Sequence, residues 1–402
     1  MPGAQPTDPT PADGGGPLDG LLVADLSRVL AGPYCSMLLA DLGATVVKVE
    51  SPAGDDTRTW MPPEHEGVST YYLSINRNKR SVVLDFRDPA DADLARELLR
   101  RADVAIENFR PGTLAKFGLD RESVREANPG LIYLSISGFG TAEGAWLPGY
   151  DLVVQAVSGL MSLTGEPDGP PFRAGISVFD VMTGLHGAIG VLSALHQRAT
   201  TGEGQHVEVN LLSSALSGLV NQTGAFTAGG VVPERMGNEH PSVYPYQQMP
   251  TRDRDVIIAA ANDGQFRALC EVLGAGHLAD DERFRANADR TANRAELHPV
   301  LVELLADWSA DDLFIALNKA GVPCGPINSI REGVELAERL GLDPRVTTGT
   351  GDREVDLVRN PISLSGARVR HDLPPPLLGE HTDEIRAWLE SPLGSGHEGA
   401  LR

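Results

Sequence analysis

From Leu21 onward, short runs rich in branched and aromatic residues alternate with amphipathic stretches. LLVADL, TVVKVE, SVVLDF, DVAIENF and LIYLSIS read as strands, and 33–42, 89–101 and the short 121–127 read as helices between them. Strands separated by helices cannot pair as hairpins, so the alternation predicts a mainly parallel, doubly wound α/β sheet. Ligands of such sheets sit beyond the carboxyl ends of the strands, which singles out 27–33, 50–58, 76–80, 108–112 and 138–151.

After Asp151 the pattern turns helical. DLVVQAVSGLMSLTG is followed by a long apolar helix opening at Asp180, in which Met182, Leu185, Ile189, Leu192 and Leu195 form one stripe. Gly184, Gly187 and Gly190 share another face. Glycine inside a helix costs about 1 kcal/mol relative to alanine, so three of them imply close approach of a neighbouring helix or a ligand. GQHVEVNLLSSALSGLV then reads as a strand and a helix, and the Gly, Pro and polar residues of 223–243 read as a crossing between domains. A smaller α/β unit follows, with a strand DVIIAAA, a helix 264–273, two helices within 294–320 and the turn GVPCGPIN. The stretch 329–390, with Pro374 to Pro376 and a helix from His381, returns to the first domain. The expected organisation is therefore a disordered tail 1–16, a large domain 17–222, a linker and small domain 223–328, a return 329–390 and a flexible tail 391–402.

Composition narrows the function. With 402 residues, 41% of them hydrophobic, the chain can bury two cores. A net charge of -21 argues against nucleic acid and against an anionic membrane surface, so an anionic ligand must be met by local cations. Cys35, Cys270 and Cys324 are far apart and odd in number, which supports neither a disulfide framework nor a zinc site and fits a reducing cytoplasm. The histidines form no H-E-x-x-H or other tight ligand pair, so no metal is expected. The first sixteen residues lack the basic and apolar segments of a signal peptide, and no apolar run reaches the ~18 residues needed to span a bilayer.

Asp180 is the most informative candidate. A helix start offers unpaired N–H groups and a partial positive charge, which keep a carboxylate ionised and available as a nucleophile. The same placement also describes an ordinary N-cap. The turn LSRVLAGP followed by Glu50 lacks G-x-G-x-x-G, which argues against a nicotinamide or flavin, and no G-x-S-x-G is present. Lys48, Arg58, Lys79, Arg80 and Arg110 recur at predicted strand ends. They make a polyphosphate site if they converge and are scattered surface cations if they do not. Asn78-Lys79-Arg80 and Asn108-Phe109-Arg110 each join donors to a turn, as a phosphate or adenine contact requires. Asp151 reads as an N-cap, and Tyr150 before it offers a phenol to a reacting oxygen. Arg173, seven positions before Asp180, either reads a substrate's distal carboxylate or is a surface arginine.

LSRVLAGPYCSMLLADLGATVVKVESPAGDDTRTW, YYLSINRNKRSVVLDF, ENFRPG, PGYDLVVQAVSGLMSLTG, SVFDVMTG and PPPLLGEHT together resemble the class III CoA-transferases, of the formyl-CoA and carnitine CoA-transferase type, over about 17–389. GDDTRTW, NRNKRS, NLLSS and GPIN are most similar to the branch that acts on dicarboxylic acids, including the succinate–glutarate and hydroxymethylglutarate transferases. The resemblance implies a Rossmann-like large domain and a homodimer of interlocked rings. It implies a CoA thioester as substrate with no permanently bound cofactor, and Asp180 as a nucleophile passing through an aspartyl anhydride and an aspartyl-CoA thioester. It places Val29, Lys79, Asn108, Phe109 and Arg110 at the CoA and Tyr150 at the active site, and the strand-end reading adds Lys48, Arg58 and Arg80 as further candidate cations for the CoA. Leu30 stands where formyl-CoA transferase has a substrate-side glutamine. MGNEHPSVYPYQ replaces that enzyme's glycine-rich lid, and both departures speak against formate and oxalate. The sister activity on this fold, α-methylacyl-CoA racemisation, uses a histidine where Tyr150 stands, and a phenol with pKa about 10 is a poor proton shuttle. A non-catalytic CoA-binding protein is the third reading.

Overall fold

The computed structural model describes residues 15–392, so the expected tails 1–16 and 391–402 lie almost entirely outside the described residues. The chain divides into two compact units: Gly159–Arg173 with Gly230–Leu342 make the smaller, and the remaining described residues make the larger.

The larger unit is built on strands β1 (Leu22–Asp25), β2 (Thr45–Glu50), β3 (Lys79–Val83), β4 (Val104–Glu107), β5 (Ile132–Ser137) and β6 (His206–Asn210). They form one sheet in the order β3-β2-β1-β4-β5-β6, with every pairing parallel. The order reverses between β1 and β4, and that switch opens a crevice beyond their carboxyl ends. The strands are short and branched because helices cover both of their faces. One face carries α2 (Pro89–Arg101), started by Asp88, whose side chain accepts from Ala90 N, and by Pro89 at its first position. Leu98 and Leu99 of α2 share a core with Val47, Ala105, Tyr133 and with Ile385 and Trp388 of the helix Thr382–Glu390. The chain from Asp343 onward thus belongs to the large unit.

Across the sheet, α1 (Ala31–Asp41) packs against α4 (Val178–Thr201), with α3 (Asp151–Val157) and α5 (Leu211–Gly218) beside α4. Here the glycines decide the geometry. A Cβ on Gly184 would stand 2.7 Å from Ala31 O, and one on Gly190 would stand 2.7 Å from a Val207 methyl. The buried side of α4 is accordingly Phe179, Thr183, Gly184, Gly187, Ala188, Val191 and Ala194. The apolar stripe read from the sequence faces outward instead: Leu185 and Ile189 are 42% and 61% exposed. Close helix contact selects residues without side-chain bulk, so the bulky residues are left on the other face. At 24 residues α4 is, among the described residues, long and apolar enough to cross a bilayer, against the expectation that no run would be; its small-residue side lies on α1 and the sheet.

The smaller unit has a three-stranded antiparallel sheet, Cys324–Pro326, Val256–Ala259 and Tyr246–Met249 in that order, with helices Asp263–Val272, Arg294–Leu305 and Ala310–Lys319. Phe266, Leu269, Leu297, Leu301, Leu313 and Leu317 form its core. The expected turn GVPCGPIN supplies an edge strand of this sheet. Contacts also draw in 159–173 and the helix Ile330–Arg339, which the expected boundaries gave to the large domain. Composition marks where a linker runs and carries no record of which core it packs on.

Candidate active site

A cleft of about 250 Å³ opens beyond β1, β4 and β5. Val29 and Leu30 from the turn after β1, Asn108, Phe109 and Arg110 from the turn after β4, Tyr150 and Asp180 all line it. Three of the five loops chosen as strand-end loops therefore meet here. Asn108 joins two of them, accepting from Arg28 N at 2.8 Å and donating to Arg28 O at 2.7 Å. The loop after β5 is fixed by a backbone crossing, since a Cβ on Gly138 would come within 2.5 Å of Gly149 Cα. That crossing places Tyr150, which is 59% exposed, at the start of α3.

Asp180 is the third residue of α4 and is not its cap. Ser177 holds the cap position without a side-chain bond, and Asp151 of α3 takes up the helix start instead: its Oδ1 accepts from Phe179 N at 2.7 Å and from Asp180 N at 3.1 Å. Gln155 holds Asp151 in turn, donating from Nε2 to its Oδ2 and to Ile176 O, and accepting from Ala174 N at 2.8 Å. Read from the sequence, each aspartate could cap its own helix; Tyr150 and Ser177 hold those positions, and Asp151 instead serves the start of α4 from the neighbouring helix, leaving Asp180 to face the cleft. Burial first, and the Asp151 charge second, push the Asp180 carboxyl from 3.8 up to about 7. This reverses the expectation that the helix start keeps it ionised, because burial outweighs what the helix start offers and Asp151 takes up two of its N–H groups. Tyr71, which no spacing in the sequence singled out, hydrogen-bonds Ser177 and lies close enough for the Asp180 charge to act on its phenol. Trp60 packs edge-on against Tyr71 at 5.1 Å.

Of the five strand-end cations, Arg110 lines the cleft and Lys48, Arg58, Lys79 and Arg80 do not. Lys48 is fully buried, donating to Asp55 Oδ2 at 2.9 Å and to Ser27 O at 3.1 Å. Lys79 donates to Asp25 at 3.2 Å, Pro33 O at 2.8 Å and Asn76 at 2.8 Å. Arg58 grips both oxygens of Glu50 and lies 3.8 Å over the Tyr72 ring. Arg80 follows Lys79 in β3 and so points to the opposite face, where the Glu384 charge acts on it. Each buried cation meets a carboxylate because an unpaired charge in the interior is prohibitively costly. Asp55 shows the strength of the arrangement: burial opposes its ionisation, yet the Lys48 charge and the bonds from Lys48 and Thr57 hold it at about 2. The cations on the cleft are Arg110 and Arg28, and the latter went unnoticed in the sequence although it precedes Val29. Its guanidinium lies 5.3 Å from the Phe109 ring and 3.6 Å from Asp56.

A family model described as CoA-transferase family III matches residues 18–382. The chain belongs to that family. This family III CoA-transferase is 45% identical to succinate–glutarate CoA-transferase of Agrobacterium fabrum, over 93% of its own length and 96% of the relative's. It is 40% identical to acetyl-CoA:oxalate CoA-transferase of Acetobacter aceti, over 96% and 99% of the two chains. The crystal structure of a CaiB/BaiF family protein from Brucella suis matches it with a TM-score of 0.84 at 46% identity, covering 94% of this chain and 100% of that one.

Within this CoA-transferase, Leu30 is buried and sits on the cleft wall as an apolar residue at the start of α1. Arg173 is exposed and falls in the smaller unit, and it is not among the residues lining the cleft. Nearness to Asp180 in sequence did not carry it to the same place, because the chain changes units between Arg173 and Ala174. All three cysteines are buried free thiols. Among the described residues no group of three or more His, Cys, Asp or Glu is arranged to hold a metal ion.

Proposed function

We propose that the protein moves CoA from succinyl-CoA or another dicarboxyl-CoA to a carboxylic acid, with Asp180 as the nucleophile. The observation that carries this is the placement of Asp180: a partly buried carboxylate on a cleft wall, with its backbone held by Asp151. With the carboxyl near 7, a substantial fraction is ionised at neutral pH and retains strong nucleophilicity. An Asp180 oxygen attacks the thioester carbonyl, the C–S bond breaks, and CoA leaves as thiolate from a mixed anhydride. The thiolate then attacks the aspartyl carbon of that anhydride and expels the donor acid as carboxylate. An acceptor carboxylate attacks the resulting aspartyl-CoA thioester, and the returning thiolate takes the new acyl group and frees Asp180. Each intermediate is close in energy to the thioester it replaces, so no ATP is consumed, provided water stays out. Arg28 and Arg110 are the cations available to the CoA phosphates, with the Phe109 ring beside Arg28 as an apolar surface.

The dicarboxylate preference rests on the relative named for succinate and glutarate and on the apolar Leu30 on the cleft wall. An interlocked homodimer is supported by the outward apolar face of α4, where Leu185, Ile189 and Leu192 join exposed Val153, Val157 and Leu216 of the larger unit. Buried free thiols are consistent with a cytoplasmic setting.

The test combines turnover with trapping. Incubation with succinyl-CoA and a panel of C4 to C6 dicarboxylates plus oxalate is expected to yield new thioesters, and hydroxylamine added during turnover is expected to leave a hydroxamate on Asp180. Asp180→Ala should fold and transfer nothing. An unmodified Asp180 peptide during active transfer would refute the mechanism, and α-deuterium wash-in without acyl exchange would point to racemisation instead.

A further inference from the structure

Val29 is one of five non-glycine residues with positive φ among the described residues, at +68°, and it is the one that lines the cleft with Asp180. A β-branched side chain strongly disfavours this left-handed region, so something must hold the residue there. The surrounding side chains take up the backbone of this turn one polar group at a time. Ser27 N donates to Asp25 at 3.0 Å, and Ser27 O accepts from Lys48 at 3.1 Å. Arg28 N and O are both bonded to Asn108. Val29 N points between the two oxygens of Asp55, 3.3 Å from each. Asp55 is itself fixed by Lys48 at 2.9 Å and by the Thr57 amide and hydroxyl at 3.0 and 2.8 Å. The buried Lys48–Asp55 pair, which contributes nothing to the cleft surface, therefore ends on the amide of the residue that the cleft requires in a strained conformation.

We propose that Asp55 is a positioning residue of the acyl-CoA site: anchored by Lys48, its carboxylate locks Val29 in the left-handed conformation that sets the Val29–Leu30 wall facing Asp180. This rests on the assignment of the cleft as the acyl-CoA site. Without the lock, the turn relaxes toward ordinary φ, and binding must first restore the competent conformation. Apparent affinity then falls by the fraction of molecules that remain competent. Strain of the size usual for a non-glycine left-handed residue corresponds to roughly a five- to thirty-fold loss. The effect falls on CoA affinity and on KM for the acyl-CoA, with kcat at saturation changed much less, because bound ligand restores the wall.

The decisive experiment is a double-substitution cycle read by CoA affinity. Asp55→Ala, which removes both oxygens facing Val29 N, is expected in the wild-type background to weaken CoA binding roughly five- to thirty-fold. In a Val29→Gly background, where glycine enters the left-handed region freely, the same substitution is expected to cost less than about three-fold. Should Asp55→Ala fail to fold with Lys48 unpaired, Asp55→Glu keeps the ion pair and displaces the carboxylate from Val29 N. The same loss and the same relief by Val29→Gly are then expected. An equal loss in both backgrounds, or none in the wild type, would overturn the proposal. Failure of the wild-type protein to bind CoA at all would instead overturn the assignment of the cleft, so the two failures are distinguishable.

Discussion

Replacing Asp151 by asparagine tests how the site sets the ionisation of its nucleophile. Asparagine keeps a side-chain oxygen for Phe179 N and Asp180 N while removing the negative charge. A carboxylate bonded to the nucleophile's own amide lies within a side-chain length of it. At an effective dielectric of about 20, like charges at such a separation repel by roughly 2 kcal/mol, or about 1.5 pK units. Burial, the larger cause, remains. The Asp180 carboxyl should therefore fall from about 7 toward roughly 5.5. At pH 6 the ionised fraction would rise from about one tenth to about three quarters, a gain of roughly eight-fold in the form that attacks the thioester. The assay is the pH dependence of the first half-reaction, followed as acyl-CoA consumed in a single turnover or as hydroxamate formed at Asp180. The acid limb should move down by more than one pH unit in Asp151→Asn. Losing the charge at the start of α4 should also lower helix stability by about 1 kcal/mol, read as a small drop in Tm. An acid limb that stays in place, or moves up, would show that Asp151 does not control Asp180 electrostatically.

Two further outcomes follow from the same geometry. With Asp180 raised from 3.8 to about 7, the native state holds a proton that the unfolded chain releases, so stability should fall as pH rises through that window. A gap of about 3 pK units at 1.36 kcal/mol per unit sets a ceiling of about 4 kcal/mol, which Asp180→Asn should recover in part in urea unfolding at pH 8 and not at pH 4. A variant no more stable than wild type at pH 8 would contradict the raised carboxyl. Gly184→Ala would bring a methyl group 2.7 Å from Ala31 O and force α1 away from α4. That overpacking should cost about 1–3 kcal/mol in thermal unfolding and raise KM for the acyl-CoA, because α1 begins at the cleft; an unchanged Tm would refute the close contact.

What the chain determines locally was legible along its length. Branched runs and amphipathic stretches specify strands and helices through side-chain period alone, and their alternation specifies a parallel sheet whose switch point holds the site. Asn108, Arg110 and Tyr150 were accessible to sequence reading because loops at strand ends open on one crevice, whereas Val29 and the role of Asp180 came with the family resemblance, which also placed the buried Lys79 there. Pairing across space was not. Whether Lys48, Arg58 and Lys79 face a ligand or a carboxylate depends on which side chains the fold brings opposite them, and Asp55, Glu50 and Asp25 lie in segments that contact decides. The same holds for the two aspartates: either could cap a helix by composition, and only the approach of α3 to α4 gave the start of α4 to Asp151 and the cleft to Asp180. The α4 stripe adds the general reason. A helix shows which of its faces is apolar, but the buried face is chosen by how closely its neighbour can come, and at Gly184 that distance admits no side chain.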